Sequence, residues 1–164
     1  MKKRLALVVI VQLALVAIGV APQLSARAAG EDYRMRVAPV DPIDPFRGAY
    51  VTLDYPDLSY EDETFSAEGG LGVLDDGQSG PVYVSLTEED GLMQATEFSR
   101  SRPETGPYLA CDDSNWQIRC GIESWFASQS EAREIGRELA EDRGVAVVRI
   151  DSRGHAAIVD LETR

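Results

Sequence analysis

The sequence predicts an α+β protein. It is mostly antiparallel β, with about seven strands in a curled sheet or partial barrel and one helix near the C-terminus, preceded by an N-terminal transmembrane helix. Three observations predict it. Short runs rich in Val, Ile, Tyr and Thr recur along the chain, bounded by Pro, Gly and Asp turn chemistry. Only one segment after the first thirty residues carries a helical apolar stripe with a cap in front of it. A single apolar run of helix length stands at the very beginning. With 164 residues, 44% hydrophobic and 27% charged, the chain has apolar material for one core plus a short appendage.

The appendage comes first. Met1-Lys2-Lys3-Arg4 is cationic, and Leu5 to Ala21 is then apolar apart from Gln12. About 17 residues at ~1.5 Å each span ~26 Å, close to the hydrocarbon thickness of a bilayer. Basic residues ahead of the run predict a cytoplasmic N-terminus and everything after it outside. The competing expectation is a signal peptide cleaved after Ala28, because Ala26-Arg27-Ala28 fits a small-x-small site. Both readings export the remainder. The expected organisation is a signal-anchor over residues 1–22, a linker over 23–32 and an extracytoplasmic domain over 33–164.

Charge narrows the function. The chain has 16 basic and 28 acidic residues, a net −12. Residues 1–28 hold four of the cations and no acid, so 12 cations face 28 acids beyond them, a net −16. Such a surface repels phosphate backbones, which excludes nucleic acid as an expected partner. The lone histidine, His155, sits beside Gly154 in a turn and reads as a solvated residue rather than a catalytic base. Histidine-built metal sites fail by count, and an all-oxygen calcium site in the acidic 57–76 stretch is the one metal alternative. No cofactor is expected.

Along the exported part, Tyr33–Val37 alternates apolar and charged as a half-buried strand does. Pro39, Pro42 and Pro45 follow, and Asp41-Pro42 and Asp44-Pro45 read as turns. Tyr50–Tyr55 is a strand ended by Pro56, and residues 56–80 form a long acidic, glycine-rich excursion. Val82–Leu86 and Leu92–Phe98 flank Glu89-Asp90-Gly91 as a hairpin. Tyr108–Cys111 and Ile118–Ile122 form a second candidate hairpin, in which Cys111 and Cys120 lie opposite one another. An oxidising compartment lets them pair as a disulfide; two free thiols are the alternative. Ser128 or Ser130 caps a helix with a stripe of Ala132, Ile135, Leu139 and Ala140, stopped by Gly144. Val145–Ile150 and Ala156–Leu161 close the domain as a hairpin around Asp151–Gly154.

Few residues exceed what a sheet requires. Asp41 and Asp44, held by neighbouring prolines, either cap their own turns or converge on an ion or on Arg47. Glu123 lies between Ile122 and Trp125-Phe126, an apolar setting in which a carboxylate needs a partner, for which Arg47 is a candidate. Tyr50 and Tyr55 complete the candidate patch of Asp41, Asp44, Arg47, Tyr50, Tyr55 and Glu123.

The stretch from Ala38 to Tyr55, containing Arg47-Gly48-Ala49-Tyr50-Val51-Thr52-Leu53-Asp54-Tyr55, resembles the signature of the GDYXXLXY family of membrane-anchored bacterial domains. Val82–Leu86, Cys120–Phe126 and the closing hairpin are similar to it as well. Ala49 departs from the pattern, standing where the family name places aspartate, and Cys111 and Cys120 are not part of it. The resemblance implies an accessory extracytoplasmic domain partnered by a multi-spanning membrane protein, and it implies no reaction. The expected function is therefore a membrane-tethered interaction or sensing module. The alternative is a small hydrolase or ligand-binding enzyme using Asp41, Asp44 and Glu123 as acid and base.

Overall fold

A computed structural model describes residues 2–39, 50–58, 78–114, 118–139 and 144–163. The chain enters through helix α1, Lys2–Ala29, whose apolar side chains from Leu7 to Leu24 are exposed. It continues through Pro22, so residues 23–29, expected as linker, are helical. Gly30 N–H returns to Ala26 O at 2.9 Å and ends the helix, and strand β1, Glu31–Pro39, begins at once.

Among the described residues, seven further strands complete two antiparallel sheets. β2 is Tyr50–Asp54, β3 Pro81–Glu89, β4 Leu92–Ser99, β5 Tyr108–Asp112 and β6 Ser124–Phe126. Helix α2, Gln129–Leu139, precedes β7, Gly144–Ile150, and β8, Ala156–Thr163. One sheet has the order β6-β2-β1-β7-β8 and the other β4-β3-β5. This overturns the expected single curled sheet or partial barrel of about seven strands. No closed barrel forms among the described residues. Alternating hydrophobicity fixes which face of a strand is buried; it does not say which strand lies alongside. β1 takes its long pairing with β7, from Glu31 opposite Ile150 to Val37 opposite Gly144, and among the described residues meets β2 at Ala38 and Pro39.

A second correction concerns residues 118–122. Ile118, Cys120 and Ile122 are buried in alternation, as expected of a strand, yet among the described residues their segment's one ladder contact is a bridge between Asp112 and Arg119. The reason is local. Gly121 has a φ of 81°, and the amides of Cys120 and Gly121 donate to the Glu123 carboxylate instead of to a neighbouring strand.

Both sheets share one core. Met35 and Val37 of β1, Ala146, Val148 and Ile150 of β7, Val82 and Val84 of β3 and Leu109 of β5 belong to it. Burying each of the larger aliphatic side chains contributes about 1.5–3 kcal/mol. α2 starts with a reciprocal cap, in which Glu131 N–H donates to Ser128 Oγ and Ser128 N–H donates to Glu131. It buries Ala132 and Leu139 against the same core.

Two ties secure the end of β5. Cys111 and Cys120 form a disulfide across a sequence separation of 9. Asp113, whose side chain is fully buried, takes a two-pronged ion pair from Arg100 at 2.8 and 2.7 Å and a third bond from Gly80 N–H at 2.7 Å.

The double variant Cys111→Ala/Cys120→Ala is expected to lose about 2–3 kcal/mol of stability, the loop-closure effect of so short a ring. Chemical denaturation under oxidising conditions measures it; equal midpoints for variant and parent would refute a stabilising role for the bridge.

Candidate functional site

The site is built on β2 and the segment that leads into β6. Tyr50 lies opposite Phe126, Val51 opposite Trp125 and Thr52 opposite Ser124 in the β2–β6 pairing. Leu53 N–H then donates to Glu123 O at 3.0 Å, extending the contact past the strand. Tyr55, at 2% exposure, donates its hydroxyl to Ile122 O at 2.8 Å. Burial, and secondarily the negative charge of Glu123, push the Tyr55 phenol far above its ordinary range, so it remains a neutral donor.

Of the sequence-derived patch, the structure brings Tyr55 beside Glu123, while Tyr50 pairs with Phe126 at the other end of the β2–β6 contact. Asp41, Asp44 and Arg47 lie outside the described residues. The Glu123 carboxylate accepts from Cys120 N–H at 2.5 Å and from Gly121 N–H at 3.1 Å. Those bonds fold residues 120–123 into a turn and aim Ser124–Phe126 along β2. In this arrangement Glu123 is a positioning residue.

Beside the turn is a cleft of about 420 Å³ lined by Gln23 and Arg27 of α1, Gly121, Glu123, Trp125 and Phe126, among others. Gln23 Nε2 donates to Gly121 O at 3.5 Å. Phe126 is 80% exposed, the most exposed large apolar side chain among the described residues outside α1.

A second constellation escaped the sequence reading. Ser25 Oγ of α1 donates to Asp151 Oδ2 at 2.5 Å, and His155 Nδ1 lies 3.0 Å from the same oxygen. The amides of Arg153 and His155 bond Asp151 Oδ1 at 2.8 and 3.0 Å. His155, expected as a solvated turn residue, is half-buried. Burial pushes the Asp151 carboxyl up, but the hydrogen bonds from Ser25, Arg153 and His155 outweigh it and hold the group at about 2. The order of contacts matters chemically. A hydrolytic serine needs the imidazole as its proton acceptor, and here the serine bonds the carboxylate. The cluster is a clasp between helix and turn.

The chemistry of a turn was legible in Asp151-Ser152-Arg153-Gly154; the partnership with Ser25, 126 residues away, carried no local signal. Among the described residues, no group of three or more His, Cys, Asp and Glu converges to hold a metal ion.

The later part of the apolar helix, from Gln12 onward, together with strand β2 and the Glu123 turn, falls within residues 12–161, which match a sequence model described as GDYXXLXY protein. The chain belongs to the GDYXXLXY family. No curated protein matches it, and no solved structure does. In this member of the GDYXXLXY family, the stretch from Ala6 to Ala29 is long and apolar enough to cross a membrane, with a hydropathy of 2.3.

The Asp151 carboxyl is depressed below its ordinary 3.8, so its stabilisation is complete above that value and is lost as pH falls towards about 2. The stability gap between the parent and Asp151→Asn is expected to narrow across that window in urea titrations; a gap that stays constant down to about pH 2 would refute the clasp. Tyr55→Phe removes a buried donor and leaves Ile122 O without that bond, and is expected to cost about 1–2 kcal/mol in the same assay.

Proposed function

We propose that this chain is a membrane-tethered extracytoplasmic accessory domain, acting as an interaction or sensing module of a membrane protein complex. The observation that carries the reading is the continuity of α1. The helix runs unbroken from its apolar stretch into the folded domain and is clasped there through Ser25 and Asp151. Arg149 adds a bond to Arg27 O at 2.9 Å and an ion pair with Asp32, and Ala26 is wholly buried. Removal of residues 1–28 would strip Ser25, Ala26 and Arg27 from the domain, which favours a retained signal-anchor over a cleaved leader. The basic residues before the apolar stretch support export of the domain behind it, and the disulfide accords with an oxidising compartment.

A module of this kind presents its surface at a fixed place relative to the bilayer. Its patch is the Tyr50–Tyr55 strand with the Gly121–Phe126 segment, and its partner class is a multi-spanning membrane protein, as the family resemblance implies. The hydrolase reading of Asp41, Asp44 and Glu123 gains no support from Glu123, whose carboxylate is committed to backbone amides.

A phosphatase reporter fused after Arg164 is expected to be active, and a fluorescent reporter that matures only in the cytosol is expected to be dark. Purified from membranes, the chain is expected to keep its full mass of 17.9 kDa. Affinity capture from detergent-solubilised membranes is expected to recover a multi-spanning protein with the parent and less of it with Glu123→Ala. Cytosolic reporter fluorescence would sink the reading.

A further inference from the structure

The contacts between α1 and the domain form an ordered ladder along the helix. Gln23 meets Gly121, Ser25 meets Asp151 and Arg27 O meets Arg149. The Gly121 turn is the lowest rung, touching the helix nearest its apolar stretch. Gln23 follows Ala21, the last residue of that stretch, by two positions, or ~3 Å of helix rise. The polar layer on one side of a bilayer is roughly 5–8 Å deep, half the difference between the full and hydrocarbon thicknesses. A helix that spans the membrane through Ala21 and is clasped to the domain by Ser25 therefore holds the Gly121 turn within that layer.

The side chains at this level suit the position. Phe126 is 80% exposed, while Trp125 beside it is half-buried and packs on the core. Both share a cleft wall with Gln23 and Arg27. Aromatic side chains are enriched at the boundary between headgroups and acyl chains, where an apolar ring and a polar edge are both accommodated. The domain's strong net acidity disfavours electrostatic attraction to anionic lipids, so a lipid contact here has to be apolar.

We infer that the Trp125–Phe126 corner is a membrane-surface anchor, with the Phe126 ring seated at the headgroup–acyl boundary of the leaflet that α1 exits. The inference rests on the reading of α1 as a retained anchor. Together with the helix, this second point of attachment stops the domain from rocking about α1 and fixes which face the β2–β6 edge offers to a membrane partner.

The test uses the full chain reconstituted into phosphatidylcholine vesicles. Trp116→Phe leaves Trp125 as the single indole, and adding Trp125→Phe with Phe126→Trp moves the probe to the corner itself. The expected result is loss of indole emission to lipids carrying a nitroxide near the glycerol backbone. Lipids with the nitroxide at the chain end should quench weakly, and so should aqueous acrylamide. Raised salt should leave the pattern unchanged. Should the corner variant fail to fold, Trp125 in the single variant gives the same readout one residue away. Vesicle flotation separates the two failures. Protein that floats while its indole is quenched only from the aqueous side overturns the lipid contact and leaves the anchor standing, assigning the cleft to a protein partner. Protein that does not float overturns both.

Discussion

The architecture depends on one buried carboxylate. Asp151 sits where the chain turns from β7 to β8, and its two oxygens take hydrogen bonds from the turn itself and from Ser25 of α1. The same turn reaches the other sheet, because Gly154 O accepts from Ala110 N–H of β5 at 2.8 Å and Ser152 O accepts from Arg102 and Tyr108. Gly154 has a φ of 80°, and a Cβ there would meet the Tyr108 ring at 2.5 Å, so the close approach of turn and sheet requires glycine. Helix, five-stranded sheet and three-stranded sheet therefore converge on five consecutive residues. A charged group buried at such a point is tolerable only when its hydrogen bonds are complete.

The Arg100–Asp113 pair repeats this logic at the far end of the small sheet. Arg100 also bonds the carbonyls of Gln78 and Pro81, so one guanidinium closes the segment entering β3 onto the end of β5. With the disulfide beside it, this corner is held by covalent, ionic and backbone ties within a few residues. That is the kind of reinforcement a sheet of only three strands needs.

In the proposed reading, function is expressed through placement. β6 is an edge strand of three residues, kept in register by the Glu123 turn and by the Tyr55 hydroxyl beneath it. Short edge strands present unpaired backbone groups over a limited length, enough for a specific contact and too little to template aggregation. The clasp on α1 holds that edge alongside the helix, tying the candidate patch to the apolar segment through Ser25 and Asp151.

Much of the local structure was legible in the sequence. The apolar run, its cationic start, the Asp90-Gly91 hairpin, the Cys111–Cys120 pairing and the Tyr50–Tyr55 strand are all signalled by composition or period within a dozen residues. Of the candidate patch, Tyr55 and Glu123 were marked in the sequence and lie together at the turn before β6. Two things were not legible. The division into two sheets escaped because period two specifies a buried face and not a neighbour, and β1 finds its main partner more than a hundred residues away. The carboxylates that organise the fold escaped because Asp113 and Asp151 look like any other turn aspartates until Arg100 and Ser25 arrive through space. Sequence determined most of the strand segments, which run is apolar and which cysteines can pair, because those properties are written in near neighbours along the chain. Tertiary structure alone decided which acid is buried and what completes its hydrogen bonds, because that depends on groups the chain brings together only by folding.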